Sequence, residues 1–362
     1  MKRSGCSVLG CVGLLVLALA VLTGVVHRVL PPQIPRILPP RPAPGPSPAP
    51  GPHPEEAEKA PRFLRQDDGD RLRLSFGFSD YQGRPHHFAC EVSKQDYDRD
   101  LASFGYFQND LDRIVGEELR ELFERQAEER GLARYVQLAM GRDTSYRWQW
   151  TVPGGLPPAV ANALTARLRD FDQWLERDFS REREELTARY LRERGVLLQG
   201  EKASVDYARE VEGATAPLAS CYEALLQAGA GEDDRRLLAL FLAFFQDLRY
   251  EVPPSVELGR HILGFRVPTA VLVRGGGDCD SKSAAFCALW RHRPERAILI
   301  LVPGHALVGV EGAPHADETY IQIGSRYFVL CEVAGPGKAP PGFGGISGSF
   351  EYVMIEPVEG TP

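Results

Sequence analysis

Two shortages narrow the field at the outset. There is no surplus of positive charge: the formal net charge is −7 and the pI is near 5.7, which argues against nucleic acid as the main partner. There are also no cysteines at paired CxxC spacing, which argues against a zinc finger or ribbon, and the sequence calls for no cofactor and no metal. Lysine is scarce beside arginine, which reads as genomic base composition without functional meaning. Basic residues are interspersed with acidic ones along the helical middle, the mark of a solvated face. Large apolar residues are almost missing from Pro31 to Pro61, which is dense in proline with alanine and glycine. Such a stretch cannot build a core, and proline biases it to extended conformations of ~3.1 Å per residue. It reads as a semi-rigid stalk, with a ligand for proline-binding modules as the alternative.

Charge is absent from Cys6 to Val26, a mostly apolar run behind the short basic flank Met1-Lys2-Arg3. At 1.5 Å per residue the run is about long enough to cross ~30 Å of hydrocarbon. A cleaved signal peptide competes, since Ala18-Leu19-Ala20 has the small-x-small form, but the apolar run continues past it and an uncleaved anchor is preferred. Val8-Leu9-Gly10-Cys11 resembles a lipoprotein box but precedes the hydrophobic region. Lys2 and Arg3 favour a cytoplasmic N-terminus, and Arg28, Arg36 and Arg41 oppose it. The expectation is a single-pass membrane protein with most of the chain outside the cytoplasm. With Cys6 and Cys11 set aside, Cys90, Cys221, Cys279, Cys287 and Cys331 form an odd set. One free reactive thiol beside up to two disulfides accounts for it.

At 362 residues the chain suggests two folded units with appendages. Four segments are expected: an anchor at 1–30, a linker at 31–65, an accessory region at 66–200 and a C-terminal domain at 201–362. In the accessory region Leu72, Leu74, Phe76 and Phe78 alternate on one face and Phe88, Cys90 and Val92 on another. Asp80-Tyr81-Gln82-Gly83 lies between them as a hairpin turn. Asp110–Glu129 reads as an amphipathic helix, and Leu156–Arg194 as a long helix or helical pair with core aromatics. Gly195–Lys202 reads as a connection. Two helices are expected near Pro217–Ala228 and Asp233–Arg249. A buried helix should follow Cys279 and end at Arg291-His292-Arg293-Pro294. Short strands are expected at Ala297–Val302, His305–Glu311, Thr319–Ile323 and Tyr327–Glu332. A helix packed on an antiparallel sheet is an α+β arrangement.

The chemistry concentrates at Gly275-Gly276-Gly277-Asp278-Cys279, where a cysteine follows a glycine-rich turn and opens an apolar helix. A helix N-terminus favours the thiolate, which is the nucleophile. His305 supplies a base and Glu332 its orienting acid. If their strands are antiparallel neighbours with the two residues opposite each other, Leu307 faces Leu330 and Gly309 faces Phe328, and the Cβ atoms of His305 and Glu332 lie ~5 Å apart. Asp317 is the rival acid, while His292 and His315 are poorer bases. Gln246 is a candidate to lend an amide to an oxyanion hole. Asp278 and Asp280 read as stabilisers of the helix start. The run to Lys282-Ser283 comes near a phosphate-binding loop, but Ser281 stands where that motif needs glycine.

The segments Phe244-Phe245-Gln246-Asp247-Leu248-Arg249-Tyr250, Val267–Leu272 leading into Gly277-Asp278-Cys279-Asp280, Pro303-Gly304-His305-Ala306 and Tyr327–Glu332 resemble bacterial transglutaminase-like cysteine proteinases. The resemblance spans about 217–347 and departs at Ala270, where relatives often carry glutamate, and at Cys331. It implies a papain-like core with Cys279 as nucleophile, His305 as base and Glu332 as acid. A membrane-tethered thiol enzyme would attack an amide carbonyl of a protein, a peptide or a peptidoglycan crosslink and pass the acyl group to water or an amine. A non-catalytic binding or scaffold module that keeps the fold is the alternative.

Overall fold

The computed structural model describes residues 63–141, 144–200, 202–335, 337–343, 345–346 and 349–358, with the backbone of Val26–Leu30. The chain is a mixed α+β protein of two compact units. The larger unit combines residues 63–105 with 193–199 and 203–358; the smaller is built on 106–192.

In the larger unit, β1 (Phe63–Asp68), β2 (Arg71–Ser79) and β3 (Pro85–Ser93) form an antiparallel sheet in that order. Helix α1 (Lys94–Ser103) follows it, started by the Ser93 side chain, which accepts from the Asp96 N–H. Helices α2 (Tyr207–Thr215), α3 (Ala219–Ala228), α4 (Asp234–Asp247), α5 (Pro268–Arg274) and α6 (Cys279–Trp290) come next in sequence. The chain then enters β4 (Ala297–Val302), β5 (His305–Glu311), β6 (Tyr320–Ile323), β7 (Arg326–Cys331) and β8 (Glu351–Ile355). These strands make one antiparallel sheet ordered β6-β7-β5-β4-β8. Helix α6 packs on β4 and β5. Ile298, Ile300, Leu307, Phe328 and Leu330 form one buried cluster of the sheet, each contributing roughly 1.5–3 kcal/mol by leaving water. From Ser281 to Trp290 every residue of α6 is buried, which explains why its sequence shows no polar face.

The expected boundary between an accessory region at 66–200 and the C-terminal domain moves. The hairpin β2–β3 belongs with the C-terminal elements, not with the long helices. Its alternation revealed a buried face without revealing the neighbour, which is α4. The Phe244 ring meets those of Phe76, Phe78 and Phe88 at 5.1, 5.6 and 5.0 Å, and a disulfide joins Cys90 of β3 to Cys221 of α3. The linker also ends earlier than 65, because β1 starts at Phe63. After Phe63 that strand is exposed along its length, so it carries no alternation to read.

In the smaller unit a helix at Gln108–Glu129 precedes the antiparallel strands Val136–Met140 and Tyr146–Trp150. The expected long helical stretch is Pro158–Trp174, continued through a π-helical turn at Leu175–Phe179 into Ser180–Arg192. Leu168, Phe171, Leu175 and Phe179 are buried there, and the Phe123 ring stands 5.4 Å from that of Phe171. Of the expected anchor, only the backbone of Val26–Leu30 is described, as an antiparallel strand beside Tyr146–Trp150. The rest of the anchor, the signal-peptide site and the stalk up to residue 62 lie outside the described residues. Among the described residues, no helix is long and apolar enough to cross a membrane.

Candidate active site

Backbone packing explains the glycines ahead of Cys279. Helix α5 ends at Gly275 in the left-handed region, with φ +67°, where its N–H closes onto Leu272 and Val271. A Cβ at Gly275 would stand 2.6 Å from the Phe63 ring, and one at Gly276 would stand 2.6 Å from the Arg249 carbonyl oxygen. That proximity lets Gly276–Gly277 pair in parallel with Arg249–Tyr250. Asp278 takes the N-cap position and Cys279 opens α6 as a partly exposed free thiol.

His305 begins β5, and Glu332 stands one residue past β7. The register differs by two residues from the expected one: Gly309 faces Leu330 and Val308 faces Cys331. Carried one step further, Leu307 stands opposite Glu332. A slip of two leaves every side chain on its face, so Glu332 approaches His305 diagonally. The length of the glutamate closes the gap, and His305 Nε2 lies 2.7 Å from Glu332 Oε2. Glu332 Oε1 accepts the Ala334 N–H at 2.9 Å, which fixes the other half of the carboxylate. With Nε2 engaged, the other ring nitrogen is left for Cys279. Hydrogen bonding to Cys279, and then to Glu332, pushes the His305 pKa up to about 10 against the opposing effect of burial.

Gln246 is not a free donor. Its Nε2 donates to the carbonyls of Glu332 at 2.6 Å and Ala339 at 2.9 Å. Its Oε1 accepts from the Tyr81 hydroxyl and the Ala339 N–H. Both amide hydrogens are spent on the backbone, so the expected oxyanion role is withdrawn. Gln246 instead ties down the loop that carries Glu332. Asp317 is exposed on the β5–β6 connection, whereas Glu332 is the acid bonded to His305. His292 stacks on Tyr222 at 4.8 Å and bonds the Thr215 carbonyl, while His315 is exposed.

The helix start holds more than the expected pair of stabilising acids. Asp278 makes no capping hydrogen bond, and its Oδ1 has no partner. Burial, and then the Asp280 charge, raises its pKa to about 8. Asp280 accepts from the Ser281 N–H at 2.8 Å and from the Tyr207 hydroxyl at 2.8 Å. Lys282, noticed in the sequence only for its place after the glycines, is fully buried one turn beyond Cys279. Among the described residues, no group of three or more His, Cys, Asp or Glu is placed to hold a metal ion. Comparison with known protein families, with curated proteins and with solved structures found no match.

Proposed function

We propose that the chain is a cysteine-dependent amide hydrolase or acyltransferase of the transglutaminase-like class, built on a papain-like core. The observation that carries this reading is the convergence of three elements: a free thiol at the start of α6, an imidazole whose pKa that thiol raises, and a carboxylate 2.7 Å behind the imidazole. An imidazolium beside a thiol stabilises the thiolate. Cys279 Sγ adds to an amide carbonyl and the C=O electron pair moves onto oxygen. The first N–H groups of a helix have no partners within it, which places the Cys279 N–H where it can meet that oxygen. On collapse, the C–N bond breaks, His305 delivers its proton to the departing amine, and a thioester remains. Water or a second amine then attacks the thioester while His305 takes the incoming proton, and the thiolate leaves. Glu332 keeps the ring oriented throughout. The Cys90–Cys221 disulfide suits an oxidising compartment, which supports the further proposal that the unit works outside the cytoplasm, tethered through Cys6–Val26.

Alkylation by iodoacetamide tests the chemistry. At mildly acidic pH, Cys279 should react at least ~100-fold faster than a small free thiol of ordinary pKa, as expected for a thiolate against a protonated thiol, and His305→Ala should erase most of the difference. Cys287 is the folding control: it is fully buried on the same helix and burial pushes its thiol up, so it stays unlabelled while the fold is intact. A Cys279 no more reactive than the free thiol would overturn the enzyme reading.

A further inference from the structure

Lys282 is a buried titratable side chain for which the proposed chemistry has no use. It is 0% exposed, one turn after Cys279 on α6. Its Nζ donates to the Leu248 carbonyl at 2.6 Å and to the Ala334 carbonyl at 2.8 Å, and it stands 5.9 Å from the centre of the Tyr250 ring. Ala334 is the residue whose N–H holds Glu332 Oε1, so Lys282 grips one side of Ala334 and Glu332 the other. Leu248 leads directly into Arg249–Tyr250, the segment paired with the glycines before Cys279.

We propose that Lys282 is a positioning residue that joins the thiol-bearing helix to the Glu332 loop and thereby sets how firmly Glu332 holds His305. The proposal rests on the thiol-enzyme reading above. A buried ammonium is expensive, and a side chain of similar length without charge would fill the space; what it would not supply is two hydrogen bonds to the two segments that flank the thiol. The acidic groups facing Lys282 are Asp247 of α4, Glu332 after β7 and Asp278 before α6, and each favours its protonation when ionised, Asp278 only toward pH 8 and above. Burial outweighs them and draws its pKa down to about 8, so the clamp weakens within an accessible alkaline range.

The test compares the pH dependence of Cys279 alkylation in the full chain, Lys282→Met, Lys282→Gln and His305→Ala, with a thermal melt of each. Lys282→Met should move the pH at which alkylation falls to half upward by about one unit, a tenfold loss on the acid side. Lys282→Gln is one bond shorter, keeps an N–H donor and should recover most of the shift. If Met and Gln shift the profile equally, Lys282 acts through charge alone and the positioning role is overturned. If neither shifts it while His305→Ala does, the proposal fails and the thiol-enzyme reading stands. If His305→Ala also leaves the profile unmoved, that reading has failed and Lys282 has nothing to position. Should neither Lys282 variant fold, the imidazole NMR titration of His305 in Asp278→Asn decides, because that variant removes the neighbouring acid that also titrates near pH 8. A second step near pH 8 as Lys282 discharges is expected, and a single-step curve overturns the proposal.

Discussion

Glu210 on α2 is 7% exposed, and a Cβ on Gly195 would come within 2.3 Å of its Oε1. Burial raises its pKa to about 8; Arg209 opposes the rise, and Asp100 and Asp206 add to it. A carboxyl whose folded pKa exceeds its unfolded value stabilises the fold fully below the unfolded value of ~4.3. That contribution disappears as pH climbs through the folded value of about 8. That loss accrues between about pH 4 and 8, so Glu210→Gln should flatten the stability curve there: its melting temperature should match that of the parent near pH 4 and exceed it by a margin that grows until about pH 8. A parallel decline of both proteins with pH would contradict this. At the proposed catalytic residues, Glu332→Gln should lower the His305 titration midpoint from about 10 and slow alkylation less than His305→Ala, because the acid orients the base without exchanging its proton. The place of Cys279 at a helix start and the pairing of His305 with Glu332 were legible because glycine, proline and strand alternation mark those positions. Gln246 was misread because its partners Glu332 and Ala339 are 86 and 93 residues away, and a single side chain announces donors without saying what will accept from them. Lys282 was unreadable as a clamp for the same reason: both of its acceptors are main-chain oxygens.

At the level of elements, the Cys90–Cys221 bond fastens β3 to α3 across a sequence separation of 131. Closing a loop of that size restricts the unfolded chain by roughly 4–5 kcal/mol in the entropic account. Reduction, or the double variant Cys90→Ala with Cys221→Ala, should lower the unfolding midpoint markedly while leaving Cys279 alkylation in the folded protein unchanged. Loss of Cys279 reactivity in a still-folded variant would show that the bond holds the site as well as the fold. The strands and helices that the sequence marked lie within about three residues of where they were expected, because the burial periods of 2 and 3.6 survive there. Helices Lys94–Ser103, Tyr207–Thr215 and Pro268–Arg274 were not read, nor was the strand pair Val196–Gln199 and Lys202–Val205, expected as a connection. The β5–β7 register was legible in face but not in step. Leu307 facing Leu330 and Gly309 facing Leu330 satisfy the same alternation, and only packing decides between them. Strand β8 carried no flag at all, since Glu351–Met354 stay at least partly exposed.

For the whole molecule, the larger unit is discontinuous, and the excursion through 106–192 leaves and returns at one place: the Gly105 N–H donates to the Arg194 carbonyl at 3.0 Å. Removing 106–192 and joining Gly105 directly to Glu193 should give a folded protein in which Cys279 keeps its selective reactivity. An insoluble product would mean that the larger unit depends on the smaller. A proteolytic nick near 200–202 should leave a single band on a non-reducing gel and two on a reducing gel, because the disulfide spans the cut.

The same long separation orders events in time. Cys90 is synthesised 131 residues before its partner, and at ~5–20 residues per second that is a wait of roughly 7–26 s. During the wait the phenylalanine face of β2 and β3 has no α4 to cover it, and the Cys90 thiol has no native mate. This unit cannot mature in the order in which it is written: its first sheet is an early waiting piece, open to wrong partners, and its last helices complete it.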